Sequence, residues 1–288
     1  MLQHSTHHQN KTETGVHRSN YLVYTSVGDH SNIDTWLTGN QNFDLWVTYY
    51  GNQENRYKDI SDHYNIRRGG KFPNLHYVYQ KWKNILDQYQ AILVMDDDII
   101  INASSISRLF EIREKYDIWV LQPAFDLTSK ISHPINRVKP FTFLRYTNFI
   151  EVTCPLFRKD KLDTFMKVYD PILVGWGIDW WFLYTIKPEI NQNKVAIIDA
   201  IACHNPPAWE KGGKREIDKL QGKKAREQKW LEIKKQYEIQ TPKEYLEYGS
   251  VTYVNGQWLI HILWFYCIKC KLRTKKFYGN ILQRLRIT

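Results

Sequence analysis

Short, nearly unbroken apolar runs, each closed by a cluster of Gly, Asn, Asp or Ser, recur along the chain up to about residue 200. Tyr21 to Val27 reads as a first buried strand, stopped by Gly28-Asp29-His30-Ser31-Asn32, after which Ile33 to Leu37 forms a helical turn. Phe43 to Tyr50 reads as a second strand, ended at Gly51-Asn52. After the polar loop Arg67 to Lys71, Pro73 marks a helix start, and Leu75, Val78, Trp82, Ile85 or Leu86, and Tyr89 follow at three- and four-residue spacing. Ala91 to Met95 is the next strand. Ser104 or Ser105 then caps a helix running to about Lys115, with Ile106, Leu109 and Phe110 inward. Ile118 to Leu121 reads as a strand broken at Pro123, Asn148 to Phe157 as an inner strand, Asp160 to Tyr169 as a helix, and Lys194 to Ala200 as a final strand near Cys203-His204. Strands alternating with helices predict an α/β domain with a mainly parallel sheet, whose ligands lie at the carboxyl ends of the strands.

At one such end stand three consecutive carboxylates, Asp96-Asp97-Asp98. In an extended segment Asp96 and Asp98 share a face and Asp97 points away. Carboxylates held that close repel one another and resist burial unless a cation or a shared proton offsets them. A hard divalent ion is the simplest compensation, and an acidic strand end that meets solvent is the plainer alternative. His204, at the end of a later strand, offers a nitrogen donor if the two ends converge. Asp179 follows the glycine-aromatic turn Gly175-Trp176-Gly177, where the backbone can approach a ligand closely and Trp176 can stack; a helix-capping carboxylate is the alternative.

Composition narrows the partners. The 288 residues fit one large domain, or one domain with an extension, and 43% hydrophobic content is ample for a core. A net charge of +10 favours an anionic partner, but the basic residues concentrate after residue 208, outside the predicted sheet, which argues against a nucleic-acid binder. Four scattered cysteines imply no disulfide framework and a reducing, cytoplasmic setting; Cys267 and Cys270 read as two thiols on a helix face. Residues 1–20 read as a polar, disordered lead without a secretory h-region, 21–207 as the catalytic domain, and 208–288 as a basic loop with a helical extension. The apolar run Trp258 to Tyr266, followed by Lys269, Lys271, Arg273, Lys275 and Lys276, suits either an interfacial helix on the inner, anionic face of a membrane or a core helix with a basic tail.

The segments Asn148 to Phe157, Gly175-Trp176-Gly177-Ile178-Asp179 and Val195 to His204, with the acidic triplet before them, resemble the domain-of-unknown-function 707 family, which is glycosyltransferase-like. More broadly the chain is similar, over about residues 20 to 207, to GT-A nucleotide-sugar glycosyltransferases. The resemblance implies a GT-A, Rossmann-like sheet flanked by helices and transfer of a sugar from a nucleotide-sugar donor, a UDP-sugar first, to a glycan or lipid-linked acceptor, with inversion. It implies Mn²⁺ or Mg²⁺ held by Asp96, Asp98 and His204, Asp98 being the preferred direct ligand. Val27, Gly28 and Asp29 would lie against the nucleotide, together with Lys71, Asp96 and Asp97. Asp179 would be the general base, with Glu151 in reserve, and Trp176 a platform for donor or acceptor. The motif departs from the acidic pair of some relatives, since Trp180 follows the single carboxylate Asp179. Lys211, Lys214 and Arg215 could add cations around the phosphates, and Gly212-Gly213 has the composition of a lid.

Two other classes compete. A metal-dependent phosphoryl-transfer or hydrolytic enzyme could use the same triplet, although a phosphoaspartate mechanism wants Thr or Ser where Ile99-Ile100 stands. A non-enzymatic anion- or membrane-binding module would interleave basic and aromatic residues throughout.

Overall fold

A computed structural model describes residues 19–207 and 220–253. These form one nine-stranded sheet in the order β3-β2-β1-β4-β7-β5-β8-β6-β9. The strands are β1 (Tyr21–Val27), β2 (Asp44–Tyr49), β3 (His63–Ile66), β4 (Ala91–Val94), β5 (Val120–Phe125), β6 (Thr142–Thr147), β7 (Leu156–Arg158), β8 (Val195–Cys203) and β9 (Glu247–Thr252). β6 and β7 run against the remaining strands, so the sheet is mainly parallel in direction although antiparallel pairs flank those two. The helices are α1 (Lys71–Lys81), α2 (Lys83–Leu86), α3 (Ala103–Lys115), α4 (Lys159–Met166), α5 (Ile178–Ile186) and α6 (Lys223–Gln236), with 3₁₀ turns at Ile33–Leu37 and Pro134–Asn136.

Both faces of the sheet are covered, which is why its strands read as continuous apolar runs rather than alternating ones. The period-2 alternation of the strands sorts their side chains between two cores. Leu22, Tyr24, Ile92 and Val94 pack with Phe72 and Leu75 of α1, Phe165 of α4, Trp181 and Phe182 of α5, and Trp230 of α6. Val23, Val27, Leu93 and Met95 pack on the other side with Trp36, Ile106, Leu109 and Phe110. The result is the three-layer α/β architecture that the alternation of elements predicts.

Several local expectations change. The acidic triplet lies beyond β4, which ends at Val94. Asn102, not Ser104 or Ser105, caps α3, accepting a hydrogen bond from the Ser105 amide at 2.8 Å. The predicted long helix breaks at Trp82, whose backbone leaves helical geometry (φ −129°) while its ring packs against Trp46. β5 runs through Pro123, because β7 pairs only with Val120 and Leu121 and leaves the following residues unpaired on that side. The expected strand over 148–157 is a turn as far as Pro155, and only Leu156–Arg158 are extended. The sheet also continues past residue 207: β9 pairs with β6, and the Asn148 side chain accepts from the Leu246 amide (2.8 Å) and donates to the Glu244 carbonyl (2.9 Å). The amphipathic run Trp258 to Tyr266, Cys267 and Cys270, and the loop carrying Lys211, Gly212, Gly213, Lys214 and Arg215 lie outside the described residues.

β8 pairs with β5 out of register between Pro123 and Ala124, so residues 199–201 bulge and turn the fully buried Asp199 toward β6. Arg145 of β6 meets it with two hydrogen bonds, Nε to Oδ2 at 2.7 Å and NH2 to Oδ1 at 3.1 Å, and reaches Glu247 of β9 at 2.9 Å. A planar guanidinium matches both carboxylates at once. Arg145→Ala should therefore destabilise the protein by about 3–5 kcal/mol, since it strands a buried charge; the midpoint of urea unfolding, followed by circular dichroism, measures the loss.

Candidate functional site

In the half-sheet β3-β2-β1-β4, chain order reverses on either side of β1, and ligands of such sheets sit beyond the carboxyl ends of the strands at that reversal. Gly28 follows β1 there and the Asp96-Asp97-Asp98 segment follows β4. Asp97 and Asp98 form a turn, so simple strand alternation does not govern where they point. The Gly28 amide donates to Asp97 Oδ2 at 3.0 Å and the Tyr50 hydroxyl donates to the same oxygen at 3.3 Å. Asp97 thus faces the β1 loop instead of turning away from it. Burial, then the charge of Asp98, push its carboxyl up to about 7. The Val27 carbonyl accepts from the Tyr50 amide at 2.9 Å, which fixes the floor of this edge. A Cβ at Gly28 would lie 2.8 Å from the Tyr50 ring, so a larger residue there would displace that ring.

Asp29 is engaged locally. It accepts from the Tyr49 hydroxyl and from the amides of Asn52 (3.0 Å) and Gln53 (3.2 Å), contacts that hold its carboxyl below the usual range and pin the loop after β2. Asn32 secures the triplet from behind: its amide donates to the Asp97 carbonyl (2.8 Å) and its side chain to the Asp98 carbonyl (2.6 Å).

Lys71, on the first turn of α1, is only 9% exposed in its side chain. Its ammonium donates to the Val152 and Thr153 carbonyls, both at 2.8 Å, and lies 2.8 Å from Asp96 Oδ1. An ammonium has three donors, which these partners use, and the Val94 carbonyl lies a longer 3.4 Å away. The Thr153 carbonyl also accepts from the Asp96 amide (2.9 Å), and the Pro155 carbonyl from the Val94 amide (2.8 Å). Lys71 therefore joins β4 to the 151–155 turn, a different task from the phosphate contact expected of it.

That turn carries Glu151, buried, its backbone amide donating to Gln122 Oε1 and its carboxylate accepting from Asn136 Nδ2 at 3.1 Å. Burial raises its pKa, and the charge of Asp96 adds to the rise. Asp179, at the start of α5, is likewise buried; it accepts from the Trp180 amide at 3.0 Å. Burial pushes its carboxyl up to about 7, the Trp180 amide opposing and the Glu151 charge assisting. Asp96, Glu151 and Asp179 thus feel one another in sequence, from the acidic triplet to the start of α5. Gly177 before α5 adopts a left-handed φ of 94°, and the Trp230 indole fills the space of its absent Cβ, 2.2 Å from where that atom would stand. Trp176 is 46% exposed beside it.

His204 pairs with Ile100 through both backbone groups (2.9 and 3.0 Å), which brings its main chain two residues from Asp98. Its Nδ1 meets Asp126 Oδ2 and the Thr128 hydroxyl, each at 3.1 Å. Despite its burial, Asp126 is held down to about 2 by His204 and Thr128. Among the described residues no three His, Cys, Asp or Glu side chains converge as a metal-ligand set, so Asp96, Asp98 and His204 are not gathered as expected. The physical reason lies in their partners, Lys71 for Asp96 and Asp126 for His204. The donors that face this edge are carboxylate oxygens, the chemistry of a hard cation that one or two carboxylates hold and phosphate oxygens complete.

Asp126, Tyr50, Trp230 and Tyr245 escaped the sequence reading. Asp126 follows a strand as Asp96 does, and that shared placement was its only signal. Cys154 and Cys203 are buried free thiols, and no helix among the described residues is long and apolar enough to cross a membrane.

No family model and no curated protein matches the chain, so no family match supports the resemblance to the domain-of-unknown-function 707 family. Similar solved structures include TarS of S. aureus (13% identity, TM-score 0.45, over 65% of this chain and 37% of that one). A shorter form of TarS, residues 1–349 in complex with UDP, is similar at 11% identity and TM-score 0.42, over 65% of this chain and 60% of that one. GalNAc-T7 with UDP, GalNAc and Mn²⁺ is similar at 11% identity and TM-score 0.48, over 75% of this chain and 48% of that one. The chain thus spans less than two thirds of each of these proteins, and likeness at this level assigns it no activity.

Two outcomes follow from the geometry. Lys71→Met keeps the length of the side chain but leaves two carbonyls and a carboxylate without their cation, and should cost about 2–4 kcal/mol in urea unfolding. Asp179 has a folded pKa raised to about 7, above its unfolded value, so its contribution to stability is complete at low pH and is lost as pH rises through 7. Between pH 5 and pH 8 the unfolding free energy should fall by on the order of 2 kcal/mol through this group. In Asp179→Asn, measured by the same urea titrations, that part of the slope should vanish.

Proposed function

We propose that this chain is a metal-dependent glycosyltransferase, one that moves a sugar from a nucleotide-sugar donor to a glycan or lipid-linked acceptor with inversion. The observation that carries the reading is the Gly28–Asp97 hydrogen bond at the sheet's reversal point, continuous through Lys71 with the buried Glu151 and Asp179 carboxyls. The edge beyond β1 and β4 takes the nucleoside diphosphate, with Val27, Gly28 and Asp29 forming the floor of the nucleotide subsite. Asp98, with Asp96 beside it, would hold Mn²⁺ or Mg²⁺ for the diphosphate, while His204, engaged by Asp126, stands outside that pair. When bound, that ion supplies charge neutralisation for the departing diphosphate.

This chain's own residues do the rest. A carboxyl whose pKa stands near 7 is matched to proton transfer at neutral pH, and such a base contributes typically about 10²–10⁴-fold. Asp179 takes the proton of the acceptor hydroxyl as that oxygen bonds to the anomeric carbon. The bond from that carbon to the diphosphate oxygen breaks with its electron pair, and the nucleoside diphosphate leaves. Burial, assisted by the charge of Glu151, keeps Asp179 basic enough to accept the proton. Lys71 fixes the spacing between the donor edge and this base.

A panel of nucleotide sugars, UDP-sugars first, tests the reading by calorimetric binding with and without Mn²⁺. Micromolar, Mn²⁺-dependent binding of at least one donor is expected, weakened at least roughly tenfold in Asp98→Ala. Absence of binding across the panel, or equal binding by the variant, would remove the transferase reading.

A further inference from the structure

A cleft of about 680 Å³ opens directly beside the Asp179 end of α5. Its walls are Trp176 and Trp180 from the turn and first residues of α5, Trp230 from α6, and Tyr245 from the segment that leads into β9. The aromatic side chains form a fixed stack. The Trp230 indole, 5% exposed, lies against Gly177; Trp180 stacks on it at 6.0 Å with 26° between planes; and Trp176 meets Trp180 edge-on at 6.0 Å. The Tyr245 hydroxyl is held by His133 Nδ1 at 2.6 Å, and the Tyr245 ring packs on Phe149 at 4.6 Å. Tyr245 also feels the charges of Asp179 and Glu151, which places this wall beside the buried carboxyls.

The rim separates the possible occupants. Glu227 and Glu244 balance Lys234 and Lys243, so the opening has no net preference for anions. A nucleic acid or an anionic membrane surface would want cations alone. A lipid tail would want no charged groups. A pyranose presents one apolar face of axial C–H bonds and a belt of hydroxyls that both donate and accept, which suits indole walls under a rim of carboxylates and ammoniums. A volume within the range of about 300–1,000 Å³ typical of small-ligand sites accommodates more than one ring.

We propose that this aromatic cleft, built jointly by α5, α6 and the segment before β9, is the subsite for uncharged pyranose units of the acceptor glycan. The proposal rests on the transferase reading for its purpose, since it sets an acceptor hydroxyl beside Asp179, but its binding chemistry stands without it. It also gives residues 227–245 a role in acceptor choice.

The test is ligand-observed saturation-transfer NMR on the full chain with three neutral oligosaccharides, maltohexaose, cellohexaose and chitohexaose, and separately with uridine and with phosphatidylglycerol vesicles. At least one oligosaccharide should bind, and Trp176→Ala and Trp180→Ala should each weaken it roughly tenfold, the expected effect of losing one stacking face. Trp176 is 46% exposed, and an unchanged midpoint of urea unfolding for that variant controls for its integrity. No oligosaccharide binding, binding indifferent to both variants, or uridine or vesicle binding that depends on Trp176 would overturn the proposal. The two readings fail separately: oligosaccharide binding without any nucleotide-sugar binding keeps the cleft and removes the transferase. Nucleotide-sugar binding through Asp98 without oligosaccharide binding does the reverse.

Discussion

The buried ammonium of Lys71 is the point on which the site is hung. Three segments distant in sequence meet at it: the first turn of α1, the Asp96 end of β4, and the turn at Val152 and Thr153. A turn with inward carbonyls cannot sit against a sheet edge unless donors meet those oxygens. Lys71 and the amides of Val94 and Asp96 supply them. Once that turn is fixed, Glu151 is carried into the interior, and its charge adds to the burial that raises the pKa of Asp179. One cation therefore sets both the stability of the turn and the electrostatics of the carboxyls behind it.

A second constraint comes from packing at Gly177. Only a residue without Cβ permits the left-handed turn and the approach of Trp230 together. The contact ties α6 to the start of α5, so the aromatic cleft and the buried carboxyl share a wall. The Arg145–Asp199–Glu247 network performs the same service at the far edge, where it joins β6, β8 and β9. Residues 220–253 are thus built into the sheet and the core.

The parallel half of the fold was legible in the sequence because its strands are buried on both faces and read as apolar runs; β1, β2 and β4 fall where the pattern puts them. β3, β6 and β9 were not, since His63–Ile66, Thr142–Thr147 and Glu247–Thr252 are partly exposed and carry polar residues, and their pairing is decided by distant partners. The acidic triplet was visible as chemistry, but its geometry was not: a turn at Asp97, invisible to strand alternation, aims that carboxylate at Gly28. Lys71 looked like a surface phosphate ligand because a sequence does not show which lysine is buried. Trp230 had no signal at all, lying in a stretch rich in Lys, Glu and Gln.

In the proposed reaction, donor binding and proton removal fall to separate carboxylates on one continuous edge. The most direct measurement compares wild type with Asp179→Asn for UDP-sugar affinity and for turnover of the donor, by transfer or slow hydrolysis, under identical Mn²⁺. This division of tasks predicts donor affinity within about twofold of wild type and turnover reduced by roughly 10²–10⁴-fold. Unchanged turnover, or loss of donor affinity in step with turnover, would contradict it.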